Sequence, residues 1–244
     1  MSTTVLELKD ISKRFGSGDA QVDALKNVSL QVEAGELVIM LGPSGSGKST
    51  LLSIAGALLS PTEGQHVFDG KNVGEMGANE RTRLRLMQIG FIFQGSNLVS
   101  FLTGREQLLF MADLIGLSRD EATRRADHLL DALGMTNRAK TYPEAMSGGE
   151  RQRIAIARSL MNNPRIILAD EPTASLDSAR GRQVVEMLRD EIHGSDRAGI
   201  LVTHDERLID LCDRVIRIED GEIVDDSPAD EEADTETTLH QAAG

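Results

Sequence analysis

Short apolar runs alternate with amphipathic stretches along most of the chain. Residues 5–9 and 28–32 read as strands that open the chain as an antiparallel pair. Leu37-Val38-Ile39-Met40-Leu41 shows no polar alternation, which fits a strand buried on both faces. A glycine-rich turn follows it, and residues 49–59 carry helical periodicity. Ile166-Ile167-Leu168-Ala169 and Ile200-Leu201-Val202-Thr203 are two further short buried runs, separated by a helical pattern over 178–192. Strands alternating with helices predict a parallel sheet covered by helices on its faces.

The middle of the chain has a different period. From about residue 95 to 162 the pattern is helical with no convincing strand. Ser118-Arg119-Asp120-Glu121 is a capping-box pattern, backed by Ala122, Ala126, Leu129, Leu130 and Leu133 on one face, and Gly134 is a helix stop. A second such pattern, from Ser147 to Glu150, opens a helix that contains Ile154, Ala155, Ala157 and Leu160. The expected architecture is therefore α/β: a parallel-sheet core, a small antiparallel β subdomain, and an inserted α-helical subdomain.

Composition narrows the setting. One cysteine, Cys212, cannot form an internal disulfide. The N-terminus lacks the basic flank and apolar stretch of a secretory signal, and no run approaches the ~20 apolar residues of a membrane span. The net charge of -13 is uneven: residues 218–244 hold ten acids and no Lys or Arg, leaving 29 acids against 26 bases elsewhere. Residues 226–244 are expected to form an acidic, disordered tail after a domain spanning 1–225. The absence of a basic footprint argues against a nucleic-acid partner.

Candidate chemistry lies at the strand ends. Gly42-Pro43-Ser44-Gly45-Ser46-Gly47-Lys48-Ser49 matches the phosphate-binding pattern G-x-x-x-x-G-K-[ST] and lies between a buried strand and a helix, the context that pattern needs. Its glycines let the backbone approach phosphate oxygens, and the helix start adds partial positive charge. Lys48 can reach the β- and γ-phosphates of a nucleotide. Ser49, beside Thr50, can ligate Mg²⁺. Asp170 and Glu171 follow an apolar strand, where open α/β sheets place ligands. Asp170 is the candidate to hold the metal through water, and Glu171 the candidate to orient and deprotonate an attacking water. No N-K-x-D base-reading motif favours a GTPase.

Met146-Ser147-Gly148-Gly149-Glu150-Arg151-Gln152-Arg153 resembles the signature motif of ABC ATPases. Other motifs of that family stand in order. Gln94, within Phe91-Ile92-Phe93-Gln94, resembles the glutamine that touches Mg²⁺ and senses a membrane partner. Ser175-Leu176-Asp177 resembles the loop that crosses the dimer interface. His204 resembles the histidine that contacts the γ-phosphate. Phe15 stands where the family places an aromatic on adenine, with core packing as the alternative. Met146 and Glu150 replace a commoner Leu and Gln. The resemblance covers residues 5–225 and implies an ATP- and Mg²⁺-dependent ATPase. It further implies that Ser147, Gly148, Gly149 and Glu150, with Asp177, face the nucleotide of a second copy.

Within the family, the chain is similar to exporters of the lipoprotein-release and macrolide-efflux group. Gly56-Ala57-Leu58-Leu59-Ser60, Asn97-Leu98-Val99, residues 161–177 and residues 203–208 resemble the haem-efflux ATPases of that group. This implies an integral-membrane permease as partner, which would hold the chain at the cytoplasmic face of the membrane. Direct haem binding by this chain is not expected. Leu98, Phe101, Leu102, Leu108 and Leu109 are candidates for a groove that grips the permease, or else pack internally. ABC ATPases of DNA repair need coiled coils or zinc modules, and those of translation usually fuse two ATPase domains. The chain has one phosphate-binding loop and room for neither.

Overall fold

The computed structural model describes residues 3–230. Two long strands, β1 (Thr4–Phe15) and β2 (Val22–Glu33), pair antiparallel. They extend well past the runs 5–9 and 28–32. Register shifts interrupt them, with Asp10 and Asn27 at positive φ, so the simple alternation breaks although the pairing continues. β4 (Glu63–Phe68) and the two-residue β5 (Lys71–Asn72) complete a four-stranded sheet in the order β2-β1-β4-β5.

The second sheet has six strands. It contains β3 (Leu37–Leu41), β6 (Ile89–Ile92), β7 (Ile166–Asp170), β8 (Ala198–Val202), β9 (Arg214–Glu219) and β10 (Glu222–Pro228). Their order is β10-β9-β3-β8-β7-β6, parallel except for the antiparallel edge strand β10. β10 runs three residues past the expected boundary at Asp225, and residues 231–244 of the expected tail lie outside the described residues.

The sheet separates two apolar cores. Leu37, Ile39 and Leu41 of β3 face one, together with Ile167, Ala169 and Leu201; Val38 and Met40 face the other, with Leu168, Ile200 and Val202. Burial on both faces explains why these strands read as unbroken apolar runs. α1 (Lys48–Ala55) and the four-stranded sheet cover one face, and α6 (Ser178–His193) covers the other.

α1 is shorter than the pattern over 49–59. A Cβ on Gly56 would lie 1.9 Å from Cζ of Phe91, and Ala57 turns left-handed at φ 55°. The apolar spacing continues to Leu59, but packing against Phe91 ends the helix. α2 (Ala78–Gln88) has no fully buried residue and therefore no apolar stripe to reveal it.

Between β6 and β7 the regular elements are helical: α3 (Gly104–Leu114), α4 (Arg119–Ala132) and α5 (Gly148–Ser159), with short 3-10 turns. At α5 the capping box is reciprocal: Glu150 N donates to Ser147 Oγ at 3.2 Å, and Ser147 N donates to Glu150 Oε2 at 2.8 Å. At α4 only one half is formed, from Glu121 N to Ser118 Oγ.

Candidate functional site

The turn after β3 is shaped by its glycines. Gly42, Gly45 and Gly47 all have positive φ. A Cβ on Gly42 would lie 2.1 Å from the carbonyl oxygen of Ile218, and one on Gly47 would lie 2.5 Å from that of Ala24. The loop is therefore pressed between β9 and β2, and only bare backbone fits at these two positions. Gly47 caps α1, so the loop leads directly into a helix N-terminus. Lys48 folds back over the turn. Its Nζ donates to the carbonyls of Gly42 (2.8 Å) and Pro43 (2.7 Å) and lies 3.4 Å from Ser46 Oγ. Burial pushes its pKa down, opposed by the charges of Glu171 and Asp170.

The acids arrive from β7 at the same sheet edge. Ser49 Oγ donates to Asp170 Oδ1 at 3.3 Å. Glu171 holds φ at 47°, and its N–H donates to the carbonyl of Val202 at 2.9 Å. Its carboxylate lies 2.9 Å from His204 Nδ1 and accepts a longer bond from Thr203 Oγ1. The hydrogen bond that His204 donates to Glu171 is the main cause of a raised His204 pKa, and the carboxylate's charge adds to it. Asp205 accepts from the backbone N–H of Arg207 and pairs with its guanidinium, fixing the turn behind His204.

These residues enclose one cavity of about 450 Å³. Gly42, Ser44, Gly45, Gly47, Lys48, Ser49, Thr50, Gln94, Asp170, Glu171 and His204 all line it, joined by Ala24 and Val202. Ser49, Gln94 and Asp170 offer the uncharged and carboxylate oxygens that suit Mg²⁺. Sequence reasoning missed Ala24 and Val202, because they contribute backbone and a small apolar surface with no chemical pattern.

Pro43 and Ser46 of the loop itself are not part of that lining, and four further groups of expected residues also lie outside it. Phe15, at the end of β1, is 43% exposed, and Lys13 Nζ stands 5.1 Å from its ring centroid. Ser147, Gly148 and Gly149 start α5 beside the 175–177 loop of their own chain. A Cβ on Gly148 would sit 3.7 Å from Ser175 Cβ, and one on Gly149 2.8 Å from Leu176 Cδ2. The Glu150 carboxylate accepts from Ser147 N and from Arg138 Nε at 2.7 Å, and these bonds lower its pKa. Asp177 accepts from Arg180 N at 3.0 Å and caps α6. The chain thus carries a lysine-bearing phosphate loop and, apart from it, a second glycine-bearing helix start.

The pattern of the ABC transporter family matches residues 25–174. A protein of Staphylococcus haemolyticus named putative hemin import ATP-binding protein HrtA is 51% identical over 89% of this chain and 98% of its own length. The protein of that name in Staphylococcus aureus strain MRSA252 is 48% identical over 90% of this chain and 99% of its own. Among solved structures, the ATP-binding cassette MJ0796, a dimer in a post-hydrolysis state bound to ADP and Pi, superposes with a TM-score of 0.86. It shares 37% identity over 92% of this chain and 98% of that one. CbiO1 of Clostridium perfringens, part of an ABC transporter complex, gives 0.86 at 26% identity over 98% and 94%. The motifs, the cavity that gathers them and these likenesses together place the chain in the ABC transporter family, as an ATP-binding subunit whose ATPase activity is coupled to transport.

Proposed function

We propose that two copies of this chain close on two ATP molecules and drive a separate permease that moves haem out of the cell. The observation that carries the dimer is the separation just described. Lys48 and Ser147–Gly149 are both suited to phosphate, yet only the first lines the cavity. A helix start with free backbone N–H groups binds an anion well. Placed opposite a second copy's Lys48, it completes the site, and ATP becomes the adhesive. The dimeric states of MJ0796 are consistent with this arrangement.

Within each cavity, Lys48 and the loop amides hold the β- and γ-phosphates. Ser49, Asp170 and Gln94 hold Mg²⁺, which neutralises phosphate charge. Glu171 takes a proton from water, and His204 contacts the γ-phosphate. Phe15 supports the adenine. The ATPase unit spans residues 1–225 with its helical insertion over 95–162, and the acidic residues 226–244 form a separate tail.

No helix among the described residues is long and apolar enough to cross a membrane. The permease therefore holds the chain at the cytoplasmic face of the membrane. Its docking site includes Phe101, which is 76% exposed, whereas Leu108 is fully buried and Leu98 and Leu109 pack on the core. Gln107 pins the turn bearing Phe101 by donating to the carbonyls of Val99 and Leu102.

Haem as cargo rests on the names of the hemin-related proteins. Those names say import; the outward direction rests on the resemblance to exporters. Haem does not touch this chain. An axial ligand such as His, Cys or Tyr in an apolar pocket is the usual requirement. Here Cys212 is buried with its thiol pushed up to about 12, His66 is buried, and His204 is paired with Glu171. Deleting the chain should make cells sensitive to haem, and Glu171→Gln should not rescue them. Unchanged haem tolerance with lost growth on haem as iron source would reverse the direction. No haem phenotype of either kind would remove the cargo assignment.

A further inference from the structure

α5 does more than present its N-terminus. One turn beyond Ser147, Gln152 is 2% exposed and donates through Nε2 to the carbonyl of Phe93 at 2.9 Å. Phe93 is the residue before Gln94. Further along the same helix, Arg158 donates through Nη1 to the carbonyl of Asn97 at 2.9 Å and through Nη2 to that of Ser96 at 3.2 Å. Burial lowers the pKa of this guanidinium, and among the described residues no carboxylate pairs with it. A half-buried charge held by carbonyls alone is costly unless its hydrogen bonds are well made, so it is a poor device for merely filling space.

The segment is also held from its other side. The ring of Phe91 fills the space over Gly56 and stacks on Phe93 with centroids 5.0 Å apart. Gln94 is thus the exposed side chain of a short span anchored before and after by one helix, and it lines the cavity with Ser49 and Asp170. Asn97, at the second anchor, holds a positive φ, so the backbone there is bent back rather than extended.

We propose that Gln152 and Arg158 are positioning residues for Gln94, setting where its side-chain amide stands relative to the Mg²⁺ ligands Ser49 and Asp170. The inference rests on the reading of Gln94 as a metal-side group. It has a consequence for the dimer. One helix carries, at its start, the cradle for the second copy's nucleotide and, along its flank, the anchors of the glutamine serving its own.

The test uses the full chain and measures Mg²⁺-dependent binding of a fluorescent ATP analogue, alongside Tm. Gln152→Met keeps the volume and removes the donor. It should weaken the Mg²⁺-dependent part of binding by about three- to tenfold while leaving binding in EDTA unchanged. The double variant Gln94→Ala/Gln152→Met should bind no worse than Gln94→Ala alone, the non-additivity expected of residues acting through one group. Arg158→Lys, which keeps the charge and can reach one carbonyl, should show a smaller loss of the same kind. It gives the same readout if Gln152→Met lowers Tm. Additive losses, or equal losses with and without Mg²⁺, would show a merely structural role and overturn the proposal. If Gln94→Ala itself leaves Mg²⁺ dependence intact, the metal-side reading of Gln94 fails instead. If Gln94→Ala acts and the α5 variants do not, only the positioning role fails.

Discussion

At the scale of single residues, the pair Glu171 and His204 carries most of the proposed chemistry. Glu171 sits at positive φ, a conformation that costs a non-glycine residue roughly 1–3 kcal/mol and persists where surroundings enforce it. Here the bond from its N–H to Val202 and the contact to His204 supply that enforcement. The carboxylate stabilises the imidazolium and raises the His204 pKa. In the native state His204 therefore keeps its proton to higher pH than in the unfolded chain. The pair's stabilisation is complete below the unfolded pKa of about 6.5 and is lost as pH rises through the higher folded value. His204 is largely exposed, so solvent screens this contribution and the useful readout is the titration itself. By NMR, the His204 imidazole should titrate above about 6.5, and in Glu171→Gln it should fall back towards that value. The same variant should retain ATP binding and hydrolyse about 10²–10⁴-fold more slowly, the usual worth of acid–base catalysis. Near-normal turnover would remove Glu171 from the role. Lys48, Ser49, Asp170 and Glu171 were legible in the sequence because a short spacing encodes each. Gln152 and Arg158 were not: their bonds reach back about 60 residues, and nothing local marks them.

At the scale of elements, legibility followed unbroken apolar runs; β6 and β9, whose apolar residues are interrupted by Gly90 and by Arg217, were not read. β3 was read from end to end because both its faces are apolar. β1 and β2 were under-read because bulges interrupt their alternation, and α2 escaped because it buries nothing. β4 also escaped, and it carries an unusual residue. His66 is 3% exposed, its Nε2 has no hydrogen-bond partner, and burial alone lowers its pKa to about 4. It is a neutral core side chain at neutral pH. Because its folded pKa lies below the unfolded one, the unfolded chain binds more protons between about pH 6.5 and 4, and stability falls as pH drops through that window. From pH 6.5 to 5 the loss is about 1.5 kcal/mol, because the unfolded histidine is only half protonated at the start of the interval. Denaturant unfolding at these two pH values should show a shallower loss for His66→Leu than for the parent chain. Equal slopes would mean that His66 finds a partner in solution.

At the scale of the whole molecule, the antiparallel sheet and the parallel core both contribute to one cavity, and the glycine-bearing start of α5 in the helical segment lies outside it. The three-part fold, the lysine-bearing loop and the glycine-bearing start of α5 could be read from the sequence. The cap that Glu150 closes was legible in the Ser147–Glu150 pattern, whereas the cap that Asp177 supplies to α6 was not, because Asp177 was read only as part of an interface loop. Gly148→Asp should cripple ATPase activity while monomer nucleotide binding stays intact. Its Cβ meets Ser175 at an ordinary 3.7 Å, so folding tolerates the change, whereas Gly149 has Leu176 at 2.8 Å. Lys48→Ala should weaken nucleotide binding itself. Equal loss of monomer affinity in both variants would contradict separate half-sites. Phe101→Asp should abolish co-purification with the permease without altering Tm, since that ring is exposed. The claim beneath all of these is that ATP joins two copies, and sedimentation of Glu171→Gln tests it most directly. With saturating ATP and Mg²⁺, this variant should sediment as a dimer holding two nucleotides, and as a monomer when ATP is withheld or when Gly148→Asp is added. A Glu171→Gln chain that binds ATP fully and remains a monomer at every concentration would contradict the account.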